Sequence, residues 1–472
     1  MRYARGISAI LAFVMLFSCM NIFVFATEES PSDASVNYNC HTLDAVTTYL
    51  GSTQITKNIG TAVVYETNSD TLMYALNADE KVYPSSLVKI LTALIAVEKG
   101  DLQEQIIVSQ DVLDTVPYYA ASAELVADEQ ITLSDLLYCM MVGSANDAAA
   151  VIATHLSGTQ ENFVHEMNAY AQKLGCTGTQ FVNVHGLHDD QQYSTARDLA
   201  KIVTSAVENE AFLEYFSAVH YEVPATNKSE KRELASGNFL MNPDNIQIYY
   251  DERVKGGRTG VAEDGLHCLA TLAEQGSMRL VCIVTGSEST FAENGTNLTY
   301  GSFKETSTLL DSAFNGYHVV QVLHENQTLQ QFEVLNGEND VVLGSSASAY
   351  SVLPADISVS ELSYQFHNLS NMPVAPIEAG AVLSSVSVWY GSLCVGQANL
   401  VAMNNVREIV AQQQIDTQDE DKNNPGPAAF IIIGVLVAAL AIFVLMKFSG
   451  EIGMYFTKKH KTAQRRDRRR SR

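Results

Sequence analysis

Two residues near position 90 have the types and spacing needed for nucleophilic acyl transfer. Ser86 and Lys89 are three residues apart, which places both side chains on one face of a helix. A serine hydroxyl is a poor nucleophile until a base removes its proton. A lysine amine can act as that base only if burial and neighbouring positive charge bring its pKa well below its usual value of about 10.4. The spacing permits a serine nucleophile with a lysine general base, but by itself it is a weak signal, because Ser-x-x-Lys also occurs where a lysine merely lies on a helix surface.

Two further segments supply polar groups suited to holding an acyl substrate. Ser144 and Asn146 lie two residues apart in an apolar run, which suits a loop that points into a cleft. Arg258, Thr259 and Gly260 offer a guanidinium fork, a hydroxyl and a position where substrate can approach the backbone. Taken singly, the three segments have ordinary interpretations: a helix start with a surface lysine, a Ser/Asn helix cap, and a strand end.

The segments that must position these residues alternate between helical and strand patterns. A hairpin is predicted from Thr61–Glu66 and Thr71–Leu76, which flank a polar turn. The predicted helices are Ser86–Lys99, Ser134–Met141, Asn146–Leu156 and Gln160–Leu174, and two later strands are Leu266–Ala273 and Arg279–Gly286. Strands at both ends with helices between them predict an α/β domain whose sheet joins N- and C-terminal segments.

From about Val319 the helical signal disappears. Short alternating runs separated by turn residues predict a small β domain, as at Val319–Leu323, Phe332–Leu335 and Val386–Tyr390. We therefore expect a catalytic domain over residues 42–317, a β domain over 318–406 and a solvated acidic linker over 407–426.

The order of the three polar segments resembles that of the low-molecular-mass penicillin-binding proteins of the D-alanyl-D-alanine carboxypeptidase family. Other segments resemble the family in the same order, over about residues 42–406: Gln130–Tyr138, Phe181–Leu187, Tyr193–Ala200, Asn238–Leu240 and, more loosely, Pro373–Ile377. The resemblance implies a β-lactamase/transpeptidase-like α/β catalytic domain, in which helices and a helical subdomain flank an antiparallel sheet. A small all-β domain would follow it.

The resemblance also implies the reaction. Ser86 would be acylated by peptidoglycan stem peptides that end in D-Ala-D-Ala, with Lys89 as its general base. Ser144 would relay a proton towards the departing D-alanine, and water would then hydrolyse the acyl-enzyme. β-Lactams would mimic the substrate terminus and trap the serine. No cofactor is expected, and no metal either, because no His/Cys spacing resembles a zinc site.

The substrate-binding residues implied by the resemblance are Asn146, Arg258, Thr259, Gly260 and Val261. The asparagine would hydrogen-bond the substrate's amide backbone. The arginine and threonine would bind its terminal carboxylate, beside a glycine that lets substrate approach. Backbone N–H groups of Val261 and of the nucleophile would form the oxyanion hole, which needs preorganised donors.

One position departs from the family pattern. The family usually has lysine where this chain has Arg258, and arginine keeps the charge but is bulkier and does not lose its proton. Lys255 should face the opposite side of the strand. The departure leaves open a catalytically weak scaffold or sensor that binds penicillin or stem peptides. A β-lactamase is disfavoured, because no Glu-x-x-Leu-Asn segment lies between the segment of Ser144 and Asn146 and the segment that begins at Arg258. Endopeptidase action on cross-links would use the same residues.

Both ends of the chain carry membrane signals. Residues 1–26 place Arg2 and Arg5 before a long apolar run, which is typical of a signal peptide and leaves an uncleaved signal anchor open. Residues 427–446 are uncharged and long enough to span a bilayer, and the basic tail 447–472 should be cytoplasmic. We expect a single-pass protein of the cell membrane with its catalytic domain outside the cytoplasm.

Charge is distributed unevenly along the chain. Of 29 basic and 53 acidic residues, ten basic and two acidic residues follow Met446 and two basic residues precede Thr27. The segment between them therefore has 17 basic and 51 acidic residues, a formal charge of −34. Such a surface repels nucleic acid, so no nucleic-acid partner is expected. Attraction to anionic lipid accounts for the basic tail.

Overall fold

The computed structural model describes Leu50 and residues 59–244, 246–291, 298–367 and 372–409. Among these residues the strands are β1 (Thr61–Glu66), β2 (Thr71–Leu76), β3 (Gln105–Ile107), β4 (Gln130–Thr132), β5 (His220–Val223), β6 (Arg232–Ala235), β7 (Val254–Val261), β8 (His267–Gln275), β9 (Met278–Ser287), β10 (Ser289–Phe291), β11 (Leu298–Tyr300), β12 (Tyr317–Leu323), β13 (Thr328–Phe332), β14 (Val341–Ser345), β15 (Ala349–Pro354), β16 (Ser363–His367), β17 (Val382–Tyr390) and β18 (Leu393–Ala402). The helices are α1 (Val88–Lys99), α2 (Gln110–Leu113), α3 (Leu133–Met141), α4 (Asn146–Ser157), α5 (Gln160–Lys173), α6 (Ala196–Val207), α7 (Glu210–Phe216) and α8 (Gly301–Gly316).

A five-stranded antiparallel sheet joins the two ends of the first domain, in the order β2-β1-β9-β8-β7. Alternate side chains of a strand point to opposite faces of its sheet. In β1, Val63 and Tyr65 enter one apolar core, whereas Ala62 and Val64 enter another. The sheet is therefore covered on both faces, and the α/β architecture predicted from the sequence is confirmed.

Different helices cover the two faces of the sheet. Helices α1 and α3–α7 contribute to the larger core, and Phe163 and Phe212 are among its fully buried side chains. Helix α8 covers the other face with Phe303, Leu309 and Leu310. Burial of each such side chain stabilises the fold by about 1.5–3 kcal/mol. The helical side of the sheet therefore holds α1, which carries Lys89.

Helix starts fall into two groups. Four helices begin with a side-chain cap that accepts a backbone N–H three residues on, a contact worth about 1 kcal/mol each. These caps are Thr132, Thr159, Thr195 and Asn209. In contrast, α1 and α4 are preceded by Leu87 and Ala145, neither of which caps with its side chain. The Ser144/Asn146 pair is therefore not a helix cap, and both polar side chains are available to the cleft.

The β domain consists of a five-stranded sheet, in the order β13-β14-β18-β17-β16, and the pair β12-β15. Its core includes Leu343, Val386 and Leu400. The all-β architecture predicted for this region is confirmed, but the strand predicted at Phe332–Leu335 is wrong. Strand β13 ends at Phe332, and Leu335 instead forms an isolated bridge with Val374.

No helix among the described residues is long and apolar enough to cross a membrane. The predicted signal peptide, transmembrane segment and cytoplasmic tail lie outside the described residues, as does the predicted linker after Ile409.

Candidate active site

The nucleophile lies in a tight turn. Ser86 is the central residue of a 3₁₀ helix, Ser85–Leu87, that leads directly into α1. We call Ser85–Leu87 the nucleophile turn. Ser85 has a left-handed φ of 49°, and its hydroxyl donates a 2.7 Å hydrogen bond to the carbonyl of Val261. A Cβ on Gly260 would lie 3.0 Å from the nitrogen of Ser86. The end of β7 therefore lies against the nucleophile turn, and glycine permits this approach.

Lys89 reaches the nucleophile from the first turn of α1. Its side chain is fully buried, and Nζ lies 3.3 Å from the hydroxyl oxygen of Ser86. Nζ also donates to Oδ1 of Asn146 at 2.8 Å and to the carbonyl of His185 at 2.5 Å. A neutral amine has two N–H groups, so these two acceptors occupy both. Its lone pair is then left for the hydroxyl of Ser86, as a general base requires.

The surroundings of Lys89 favour its neutral form. Burial holds the pKa of Lys89 well below its usual value, and the positive charge of Arg258 lowers it further. The negative charge of Asp147 acts in the opposite direction. Burial is the main reason that the pKa of His185 is lowered to about 3, so that this imidazole is uncharged at neutral pH.

Arg258 connects the first two motifs from beneath the cleft. It is 4% exposed, and its Nη2 donates a 2.5 Å hydrogen bond to the hydroxyl of Ser144. The other two guanidinium nitrogens donate to the carbonyls of Met141, at 3.0 Å, and Ser86, at 3.4 Å. Burial lowers the pKa of Arg258 to about 10, which still leaves it charged at neutral pH. Lys255, in β7, is exposed and donates to the carbonyl of Glu252 in the preceding turn.

An open cleft of about 730 Å³ lies above these groups. The predicted site residues that line it are Ser86, Ser144, Asn146, Thr259, Gly260 and Val261. The structure thus brings the three sequence segments together around one cavity, with Lys89 and Arg258 buried beneath it. The volume suits a peptide terminus, since small-molecule sites measure roughly 300–1,000 Å³.

Several backbone groups complete the site, and sequence reasoning assigned none of them a role. The carbonyl of His185 binds Lys89, and the carbonyl of Ala121 accepts hydrogen bonds from Asn146. Gly186 has a φ of 87°, and a Cβ there would lie 1.9 Å from the carbonyl oxygen of Ser85. Only the glycine had a signal, in the segment Phe181–Leu187, because carbonyl groups are common to every residue type.

Comparison with known proteins places this site in a family. Residues 50–289 match the family model of D-alanyl-D-alanine carboxypeptidases, peptidase family S11. Residues 317–408 match that of the C-terminal domain of penicillin-binding protein 5. The chain is 28% identical over 343 residues to D-alanyl-D-alanine carboxypeptidase DacC of Escherichia coli K12, covering 70% of this chain and 80% of the relative. It is 29% identical over 358 residues to DacA of Haemophilus influenzae, covering 74% and 85%.

Solved structures agree with this placement. Penicillin-binding protein 5 from Haemophilus influenzae superposes with a TM-score of 0.62 at 28% identity, over 75% of this chain and 98% of that one. The fold alone is shared with penicillin-binding protein 3 of Streptococcus pneumoniae, at a TM-score of 0.59 and 20% identity, over 75% of this chain and all of that one. Because the first family model spans just over half of the chain and all three motif segments, this chain belongs to the D-alanyl-D-alanine carboxypeptidase family of low-molecular-mass penicillin-binding proteins, which are serine hydrolases.

Proposed function

We propose that the chain is a membrane-anchored D-Ala-D-Ala carboxypeptidase that removes the terminal D-alanine from peptidoglycan stem pentapeptides. The observation that carries this proposal is the buried amine of Lys89, 3.3 Å from the hydroxyl oxygen of Ser86. Its two other partners, Asn146 and His185, leave the lone pair for that hydroxyl. A lysine buried in this way has a clear chemical use and is otherwise costly.

Acylation would use the groups of the three segments in a fixed order. Lys89 takes the proton of Ser86 as its oxygen attacks the carbonyl carbon of the penultimate D-alanine. The developing oxyanion is bound by the backbone N–H groups of Ser86 and Val261. The C–N bond then breaks, and Ser144 relays a proton to the departing amine. In the second half, water attacks the ester carbonyl and gives up a proton through Lys89, and a proton passes to the oxygen of Ser86 as the ester C–O bond breaks.

Arg258 supports this sequence in two ways. Its hydrogen bond to Ser144 holds the relay hydroxyl in place, and its charge favours the neutral form of Lys89. Thr259 provides a hydroxyl within the cleft for the terminal carboxylate, while Arg258 supplies positive charge from beneath. Arginine in place of the family's usual lysine is therefore compatible with turnover, because its permanently charged guanidinium supplies both the hydrogen bond to Ser144 and the positive charge near Lys89.

Two further parts of the proposal rest on the chain ends and on the chemistry of the serine. We propose that residues 1–26 direct export and that residues 427–446 anchor the protein in the cell membrane, with the tail in the cytoplasm. We also propose that β-lactams acylate Ser86, because they present a strained amide to the same nucleophile. Carbonate extraction of membranes and protease digestion of intact cells test the anchor and its orientation.

The decisive assay measures D-alanine released from a pentapeptide ending in D-Ala-D-Ala. The full-length chain in detergent should release D-alanine and bind a fluorescent penicillin, whereas Ser86→Ala should do neither while keeping its circular dichroism spectrum. Penicillin binding without release would instead support the weak scaffold or sensor. Absence of both from a folded protein would contradict the proposed function.

A further inference from the structure

We propose that Asp147 is a positioning residue of the active site. Its carboxylate clamps residues 121–125 against the start of α4, and this segment in turn holds the side-chain amide of Asn146 towards Lys89. The catalytic meaning of the clamp rests on the proposed function, whereas the clamp itself is a set of contacts that is tested separately below.

The carboxylate of Asp147 is 4% exposed and receives hydrogen bonds mostly from one segment. Oδ2 accepts from the hydroxyl of Ser122 at 2.6 Å and from the N–H of Leu125 at 3.1 Å. Oδ1 accepts from the N–H of Ala123 at 2.9 Å and from that of Ala148, in its own helix, at 2.9 Å. The first turn of a helix also favours negative charge. These donors compensate a buried carboxylate that would otherwise be costly.

The clamped segment has no regular secondary structure of its own, although the side chains of Ala123 and Leu125 are buried in the core. Residues 114–129 form no helix or strand, so their backbone N–H groups need partners outside a regular ladder. Asp147 provides an acceptor for two of them, on either side of Glu124, whose φ of 58° is left-handed. The same stretch of chain lines the cleft through Ala120 and Ala121. The carboxylate therefore fixes one wall of the substrate cavity.

The wall then fixes the orientation of Asn146. The carbonyl of Ala121 accepts both the backbone N–H of Asn146, at 2.8 Å, and its Nδ2, at 2.9 Å. With Nδ2 held there, Oδ1 must face the amine of Lys89, 2.8 Å away. A rotated amide would present its own N–H groups to that amine. Lys89 would then lack one acceptor, and its lone pair would no longer be directed to Ser86.

The charge of Asp147 gives the clamp a second consequence. The ionisable groups around Lys89 are Arg258, which lowers the pKa of the amine, and Asp147, which raises it, while His185 is neutral. Replacing Asp147 by asparagine removes the raising influence, so the acid limb of kcat/KM should move to lower pH. If Asp147→Asn only loosened residues 121–125, activity would fall but the acid limb of kcat/KM would not move to lower pH.

The matched variants are Asp147→Asn and Glu124→Gln. Both remove one negative charge, but the exposed side chain of Glu124 takes no part in the clamp. Hydrogen exchange is measured by mass spectrometry on the full-length chain in detergent. We expect the amides of Ala123, Leu125 and Asn146 to exchange about tenfold faster in Asp147→Asn, as for the loss of one hydrogen bond. Glu124→Gln should match the wild type.

Pentapeptide hydrolysis supplies the second readout. Asp147→Asn should lower kcat about 10- to 100-fold with a smaller change in KM, because positioning of a catalytic group is lost. Its acid limb should move to lower pH. Unchanged exchange at Asn146, or an unchanged kcat beside an active wild type, would overturn the proposal. If the wild type releases no D-alanine, the proposed function fails and the exchange data alone decide the clamp.

A third variant keeps the test decisive if Asp147→Asn does not fold. Ser122→Ala removes one of the clamp's hydrogen bonds and leaves the carboxylate charge in place. It should accelerate exchange at Ala123 and Leu125 by a smaller factor, about threefold, and leave the acid limb where it is in the wild type. Wild-type exchange in this variant would contradict the clamp.

Discussion

The α/β domain and the β domain bury polar side chains of different kinds. The α/β domain buries ionisable groups, including Lys89, Glu129, Asp147 and Arg258. The buried polar side chains described in the β domain are serines: Ser345, Ser351, Ser384 and Ser387. Removing a charge from water costs several kcal/mol, whereas a hydroxyl needs only a hydrogen-bond partner. The first domain therefore gives up stability where it assembles reactive groups, and the second does not.

The two domains also differ in the residue types that adopt a left-handed backbone conformation. Left-handed residues at the site include Ser85 and Ser144, which flank the chemistry. Among the described residues of the β domain, the non-glycine left-handed residues are Asn326 and Asn336, and asparagine tolerates this conformation in turns. Strain held at serines, rather than relieved by asparagine or glycine, points to a functional constraint. The predictions below use paired variants to separate the two kinds of burial and strain.

The largest difference in activity should arise between alanine variants of two serines, the half-buried Ser86 and the buried Ser387. Ser86→Ala removes the nucleophile and should lower kcat by roughly 10⁴-fold or more with little change in melting temperature. Ser387→Ala, in the β domain, removes a hydroxyl that bonds His367 and Gln397 and should destabilise by about 1 kcal/mol. D-alanine release and thermal melting of both variants provide the comparison. Equal activity losses would contradict it.

The charge of Arg258 should have the next largest effect. Arg258→Gln should lower kcat by about 10²-fold, because it frees Ser144. It also removes the positive charge that lowers the pKa of Lys89, so that pKa rises. The base is active when neutral, and the acid limb of kcat/KM therefore moves to higher pH. Arg258→Lys keeps the charge and should leave that limb nearly in place. A limb that shifts equally in both variants would show that charge is not the cause.

Two left-handed glycines give a sharper comparison of backbone strain. An alanine at Gly186, φ 87°, would place Cβ 1.9 Å from the carbonyl oxygen of Ser85, whereas at Gly380, φ 90°, it meets open space. Both variants should destabilise by about 1–2 kcal/mol through the backbone alone. Only Gly186→Ala should also displace the nucleophile turn and lower kcat, by roughly tenfold to 10²-fold. Calorimetry and pentapeptide hydrolysis measure the two effects.

The smallest effect on activity should follow from a cavity created by mutation in the core of the β domain. Leu400→Ala truncates a fully buried side chain of that core and should cost about 2–5 kcal/mol of stability. Activity measured below the melting transition should equal that of the wild type, because the described residues of this core do not line the cleft. A loss of kcat under those conditions would show that the two domains are coupled.

Local elements followed closely from local patterns. The hairpin strands have the bounds that alternation predicts, Thr61–Glu66 and Thr71–Leu76. The predicted helix Ser86–Lys99 is instead a 3₁₀ turn followed by α1, because Ser85 adopts a left-handed conformation and β7 lies against the turn. The pattern at Phe332–Leu335 failed because pairing with β14 ends at Phe332. In each case where the prediction was wrong, a contact between residues distant in sequence overrode a local preference.

The sequence by itself determined which reactive groups exist, in what order they occur, and that strands enclose the helices that carry them. Those properties depend on residue type and short-range spacing, which the sequence gives directly. Only the tertiary structure decided that the carbonyl of His185 meets Lys89 and that the carboxylate of Asp147 holds residues 121–125. It also decided that Arg258 lies under the cleft against Ser144. These contacts come from packing between distant segments, and the backbone carbonyls that take part are common to every residue type.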